Sequence, residues 1–152
     1  MSLTLHLGVV DLPYSARART KAAAGRAGTK TTGDVAGWLE DRYHPMEVFW
    51  NEKTEEIVGD LEDALQGSIE TMLMGGPPSL APFGSGISKV EDRFRAFITS
   101  KDIEKVGIPG VPTQAALRGV SHRFKRPYAR RSARPSFVDT GLYVASFKAW
   151  ID

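Results

Sequence analysis

Apolar and polar residues alternate at the start of the chain: Leu3, Leu5, Leu7 and Val9 are interleaved with Thr4, His6 and Gly8. A period of two predicts a half-buried strand, ended near Pro13, with His6 on the face opposite the leucines. Residues 15–32 then offer Ala, Gly, Arg, Lys and Thr with almost no apolar bulk, the composition of a flexible basic arm or loop. At Thr31-Thr32-Gly33-Asp34 the chain carries a helix start, with a hydroxyl to cap and an acid in the first turn. Val35, Trp38, Leu39 and Tyr43 follow at helical spacing. Pro45 suits the first position of a new helix. From there Met46, Phe49, Trp50, Ile57, Leu61, Leu65, Ile69 and Met72 or Leu73 form one stripe at steps of three and four. The spacing predicts a central amphipathic helix of about seven to eight turns.

Gly75-Gly76-Pro77-Pro78 stops that helix, and residues 75–87 read as a Gly/Pro-rich loop. Ser88-Lys89-Val90-Glu91 has the form of a capping box for a further helix with Val90, Phe94, Phe97 and Ile98 inward. Asp102 to Lys105 add a turn, and Gly107 to Pro112 break it. Thr113 caps a short helix with Leu117, Val120 and Phe124 on one side and Arg118, His122, Lys125 and Arg126 on the other. The expected fold is α+β in one domain, residues 1–152, large enough for a core without covalent staples.

Composition changes this picture little. The 41% apolar and 25% charged residues are ordinary globular values, and the absence of cysteine excludes disulfides and thiolate metal sites. No apolar run has the length of a membrane span and no signal-peptide pattern opens the chain, which predicts a soluble protein used without secretion. Charge changes it more, because a net +2 conceals segregation. Residues 34–70 are acidic, and the long helix carries Glu52, Glu55, Glu56, Asp60, Glu62 and Asp63 on its polar face. Between Glu104 and Asp139 there is no acid, while Arg118, Arg123, Lys125, Arg126, Arg130, Arg131 and Arg134 gather there. The acidic face is either solvated or paired with a basic surface, within a subunit or between subunits. The arginine run is a candidate contact for protein or for DNA backbone.

Candidate chemistry is sparse. Asp139-Thr140-Gly141 has the tripeptide of retroviral-type aspartic proteases, but such an enzyme needs most of a small barrel after the motif, where only Leu142 to Asp152 follow. The local reading is a structural turn: Asp139 or Thr140 caps a short helical turn and Gly141 permits the bend. His6, His44 and His122 have no ligand spacing, and the helix carboxylates suggest a solvated face that holds a divalent ion only weakly. No catalytic, cofactor-binding or metal site is expected. Arginines interleaved with His122, Phe124 and Tyr128 keep a nonspecific, salt-sensitive nucleic-acid contact as the alternative.

Thr31 to Ala36 with the acidic helix behind it, and Arg134-Pro135-Ser136-Phe137-Val138-Asp139-Thr140-Gly141-Leu142 before an aromatic terminus, resemble tailed-bacteriophage minor tail, tail-completion and head–tail joining (neck) proteins. The resemblance implies helices packed on a small sheet formed by the N- and C-terminal strands. It also implies a non-enzymatic virion subunit, assembled in the host bacterial cytoplasm. Such a subunit would form a homo-oligomeric ring and meet neighbouring tail or neck proteins and DNA in the channel, with no membrane or small-molecule partner. In this reading Arg118 to Arg134 dock, Asp139-Thr140-Gly141 sets the closing strand, and Phe137, Tyr143, Phe147 and Trp150 anchor that strand to the helices.

Overall fold

The structure, a computed structural model, describes residues 3–14, 30–121, 125–129 and 131–152. Strand β1 (Leu5–Val9) pairs antiparallel with β2 (Phe147–Ile151), in a register that sets Leu5 against Ile151 and Val9 against Phe147. Helices α1 (Thr32–Tyr43), α2 (Pro45–Leu73) and α3 (Gly84–Thr99) supply most of the mass. Three short ones, α4 (Asp102–Lys105), α5 (Gln114–Leu117) and α6 (Leu142–Ser146), complete an α+β fold. The expected class, the long helix and the pairing of the two outer strands are all present.

The start of α1 is fixed by polar contacts the sequence announces. Thr31 and Asp34 form a reciprocal capping box, each side chain accepting from the other's backbone N–H, at 3.2 and 3.0 Å. Fully buried Thr32 bridges back to the strand side, donating to the Val10 carbonyl at 2.6 Å and accepting from Leu12 N–H at 2.8 Å. Lys30 to Thr32 are therefore not part of a free arm: Tyr14 N–H donates to Lys30 O, and Pro13 bridges Thr31. The rest of the predicted arm, residues 15–29, lies outside the described residues. At the α1–α2 junction His44 takes a left-handed conformation. The Glu40 carboxylate accepts from Met46 and Glu47 N–H at 3.0 and 3.1 Å, capping the N-terminus of α2.

The core lies where α2, α3 and β2 meet. Phe147 stacks on Phe94, with ring centroids 3.8 Å apart and 14° between planes, and Phe49 closes edge-on against both. Ile57, Val90, Phe97, Ile98 and Ile103 fill the remainder. Gly86 makes the α2–α3 crossing close, since a Cβ there would sit 2.6 Å from the Asp60 carbonyl oxygen. That crossing also moves a boundary. Helix α3 begins at Gly84 rather than Ser88, so the Gly/Pro loop is shorter than residues 75–87, and no capping box operates at Ser88, whose hydroxyl donates back to Gly84 O. A Gly-Ser-Gly start is a poor helix former in isolation, and packing on α2 overrides that preference.

Candidate interaction surfaces

The acidic face of α2 divides into two parts. Asp60 is buried, and Glu56 and Asp60 receive the guanidinium of Arg93 from α3, with the Lys89 ammonium 3.4 Å from Asp60. The hydrogen bond from Arg93 holds the Asp60 carboxyl below its ordinary range, while that from Lys53 does most for Glu56. Among the described residues, charge pairing within the subunit thus occurs, and its basic partners are Arg93 and Lys89 of α3 and Lys53 of α2 itself. Glu52, Glu55, Glu62 and Asp63 stay exposed. A second ionic centre joins α3 to β2: Glu91 accepts from Lys148 at 2.9 Å, Arg95 at 3.1 Å and Ala149 N–H at 3.4 Å. Burial works to raise the Glu91 pKa, and these three donors together outweigh it.

The arginine run also divides. Arg134 points inward, donating to Val120 O at 2.7 Å and to Val138 O, and lies 3.5 Å from Asp139. It is a clasp across its own loop, which corrects its assignment as a docking residue. Arg131 spends its guanidinium on the backbone carbonyls of Arg126, Pro127 and Ala129. Arg118, Lys125 and Arg126 remain exposed, beside exposed Leu117 and Tyr128. Arg123 and Arg130 lie outside the described residues, as do His122 and Phe124.

Asp139-Thr140-Gly141 is a turn, as expected. Gly141 holds φ +78° and is itself the cap of α6, and the Thr140 hydroxyl accepts from Leu142 N–H at 3.1 Å. Phe137 reaches Tyr43 of α1, and Tyr143 and Phe147 enter the core. Trp150 departs from its expected role. It lies on the outer face of the sheet, stacked on His6, whose ring bonds Asp152 at 2.5 Å. Period-two alternation puts residue 150 opposite residues 147 and 149, which are buried.

Two features were not read from the sequence. The first is a buried serine: Ser136 N–H and Oγ both donate to Glu104 at 2.8 Å, and Ser136 Oγ accepts from Thr113 N–H at 3.1 Å. This ties the loop before the turn to α4 and α5. The second is a cavity of about 540 Å³ lined in part by Tyr14, Val35, Val120, Arg134, Phe137 and Tyr143. Among the described residues, Arg134 Nε and Tyr143 Oη are buried polar atoms without a hydrogen-bond partner. Burial pushes the Tyr143 hydroxyl pKa up, which keeps it a neutral donor.

The long helix carries the most exposed apolar surface. Its stripe is covered by α3 as far as Ala64, but residues 65–73 run on past the core. Leu65, Ile69 and Met72 are exposed there, with Leu73 82% and Met74 87% accessible, and Leu80 is bare in the turn beyond. Among the described residues, no group of His and carboxylates is placed to hold a metal ion, and no helix is long and apolar enough to cross a membrane. Comparison with protein-family models, with curated proteins and with solved structures finds no match for this chain.

Proposed function

We propose that this chain is a non-enzymatic structural subunit of a tailed-phage virion, acting in tail completion or head–tail joining by assembling into a ring. The observation that carries the assembly reading is the projecting end of α2. Over residues 65–73, a length of about 13 Å, the helix is tied to the following turn by the hydrogen bond from Ser68 Oγ to Pro82 O, yet Leu65, Ile69, Met72 and Leu73 stay exposed to water. Contiguous exposed stripes of this kind mark contact surfaces. The acidic residues beside the stripe and the exposed basic residues Arg118, Lys125 and Arg126 favour a contact between two different patches, which is the kind that generates rings. The place in a virion rests on the sequence resemblance.

The test is native mass spectrometry over a concentration series, with immunodetection of the chain in purified particles. Closed oligomers and a place in the tail or neck are expected. A chain that stays monomeric at every concentration and never enters particles defeats the proposal. The exposed basic trio beside Tyr128 also favours a second reading, contact with a nucleic-acid backbone. Three phosphate contacts would give a logarithmic salt slope of about −3, and binding that ignores salt would remove that reading.

A further inference from the structure

The two-stranded sheet is closed along one edge and open along the other. Thr4 and Asp152 exchange reciprocal bonds of 2.9 and 3.2 Å, which makes them a hydrogen-bonded pair. By alternation His6 and Gly8 also bond to β2, while Leu5, Leu7 and Val9 turn their N–H and C=O groups outward. On β2 the outward groups are met by α3: Arg95 donates to Phe147 O at 3.4 Å, and Ala149 N–H donates to Glu91 at 3.4 Å. Among the described residues, none donates to or accepts from the backbone of Leu5, Leu7 or Val9 along the outer edge of β1. We propose that this edge is a strand-pairing site, and that β1 of a second copy adds to it antiparallel to make one continuous sheet across a two-fold axis. The proposal goes beyond the ring reading and does not rest on it, because a two-fold contact closes on itself.

Free edges are commonly blunted by charge, proline or a bulge. Leu5-His6-Leu7-Gly8-Val9 contains no Lys, Asp, Glu or Pro, and its residues pair one for one with β2. The edge also leaves the core open at its side. Leu5, Leu7 and Val9 share a face with buried Phe147 and Ala149, pack on the core and remain only part-buried, so an added strand would cover them. Beyond Val9 the chain is taken up by α1: Thr32 bonds Val10 and Leu12, Gly33 bonds Asp11, and Pro13 bridges Thr31. The free edge therefore has the length of β1 itself.

Three features match this edge to its own copy. Centred on Leu7, an antiparallel pairing sets Leu7 against Leu7 and Leu5 against Val9. Every outward group on one copy then meets an outward group on the other, and each pair exchanges both its bonds. The same register lays an apolar row against an apolar row on the core side and places His6 opposite Gly8 on the outer side. Trp150 lies over Gly8, 3.1 Å from where a Cβ would stand, and stacks on its own His6, so the incoming imidazole finds an aromatic neighbour of the kind it already packs on. The strand carries no carboxylate or ammonium group, so two copies meet without like-charge repulsion. With the β2 edge closed by Arg95 and Glu91, a sheet contact between copies has to join β1 to β1.

Proline tests this, because where the N–H points outward it removes the edge donor and spares the ladder to β2. Leu7→Pro should self-associate more than tenfold more weakly than the parent in sedimentation equilibrium, with its circular dichroism spectrum retained. Leu7→Ala shortens the same side chain but keeps the N–H, and should associate more tightly than Leu7→Pro. Amide hydrogen exchange followed by NMR reads the parent directly. In dilute solution the Leu5, Leu7 and Val9 amides should exchange at least tenfold faster than those of His6 and Gly8, and on concentration they should slow to match. A parent that associates while those three amides stay fast overturns strand pairing and leaves assembly through another surface standing. A parent that stays monomeric at every concentration overturns the second copy as occupant. Protection that then arises only on adding another protein assigns the edge to a strand of that protein instead.

Discussion

Replacing Asp60 by Asn tests the account of how α2 is clamped. The change keeps side-chain volume and removes one charge from a carboxylate that is only 6% exposed. Asp60 receives Arg93 and Lys89, both from α3, so one substitution weakens two ion pairs across one helix crossing. Stranding a fully buried charge costs about 3–5 kcal/mol. Here Arg93 keeps Glu56 and is over a third exposed, and Lys89 is half exposed, so both cations stay hydrated. The screened value is about 1.5–3 kcal/mol, the range for hydrogen bonds to a charged partner. For a chain of this size, that lowers the melting temperature by about 3–10 °C.

The dependence on pH has a fixed sign. The Asp60 pKa is depressed in the folded state, so its contribution is complete above the unfolded value and is lost as pH falls through the folded one. The parent should therefore lose its advantage over Asp60→Asn below about pH 4. Urea titrations of both proteins at pH 7 and at decreasing acid pH measure this. A difference under about 0.5 kcal/mol at pH 7 would refute the clamp, since surface changes fall in that range. So would a difference that persists unchanged into acid.

Gly86→Ala should destabilise the protein by about 1–2 kcal/mol in the same titration. Helix propensity favours alanine by about 0.8–1 kcal/mol, but the new Cβ meets the Asp60 backbone, and overpacking costs about 1–3 kcal/mol or more. A stabilised variant would show that the crossing is looser than described. Arg134→Ala should cost about 2–3 kcal/mol, because the Val120 and Val138 carbonyls and Asp139 lose a charged partner together. Exposed Arg126→Ala should stay within about 0.5 kcal/mol of the parent, and equal losses at the two positions would erase the distinction between clasp and surface.

Where the sequence was legible, it was so because local chemistry and tertiary packing agreed. Thr31 and Asp34 cap α1, Pro45 opens α2, the leucine alternation pairs with β2, and Gly141 takes the left-handed turn. Where it was not, the determining contact was distant in sequence. A 3.6-residue period reports which side of α2 is apolar, but not how much of that side a neighbour covers, so Ile57 and Ile69 look alike until α3 is placed. Charge counting has the same limit. It found the acidic helix and the arginine run, yet it could not tell that Arg93 serves the acids or that Arg134 turns inward. The α3 start was missed because Gly86 is chosen for its contact with Asp60 and against its own helix preference.

The pairing of β1 with β2 has a consequence for synthesis. Leu5 to Val9 leave the ribosome early, but their hydrogen-bonding partner, Phe147 to Ile151, comes more than a hundred residues later. Until then the first strand is an unmatched edge, and the Phe49 and Phe94 rings lack the ring that stacks between the helices and the sheet. Such late closure slows folding, because the longest loop is shut last. A chain cut short before Phe147 lacks the closing strand and is expected to expose the face of Phe94 that Phe147 covers.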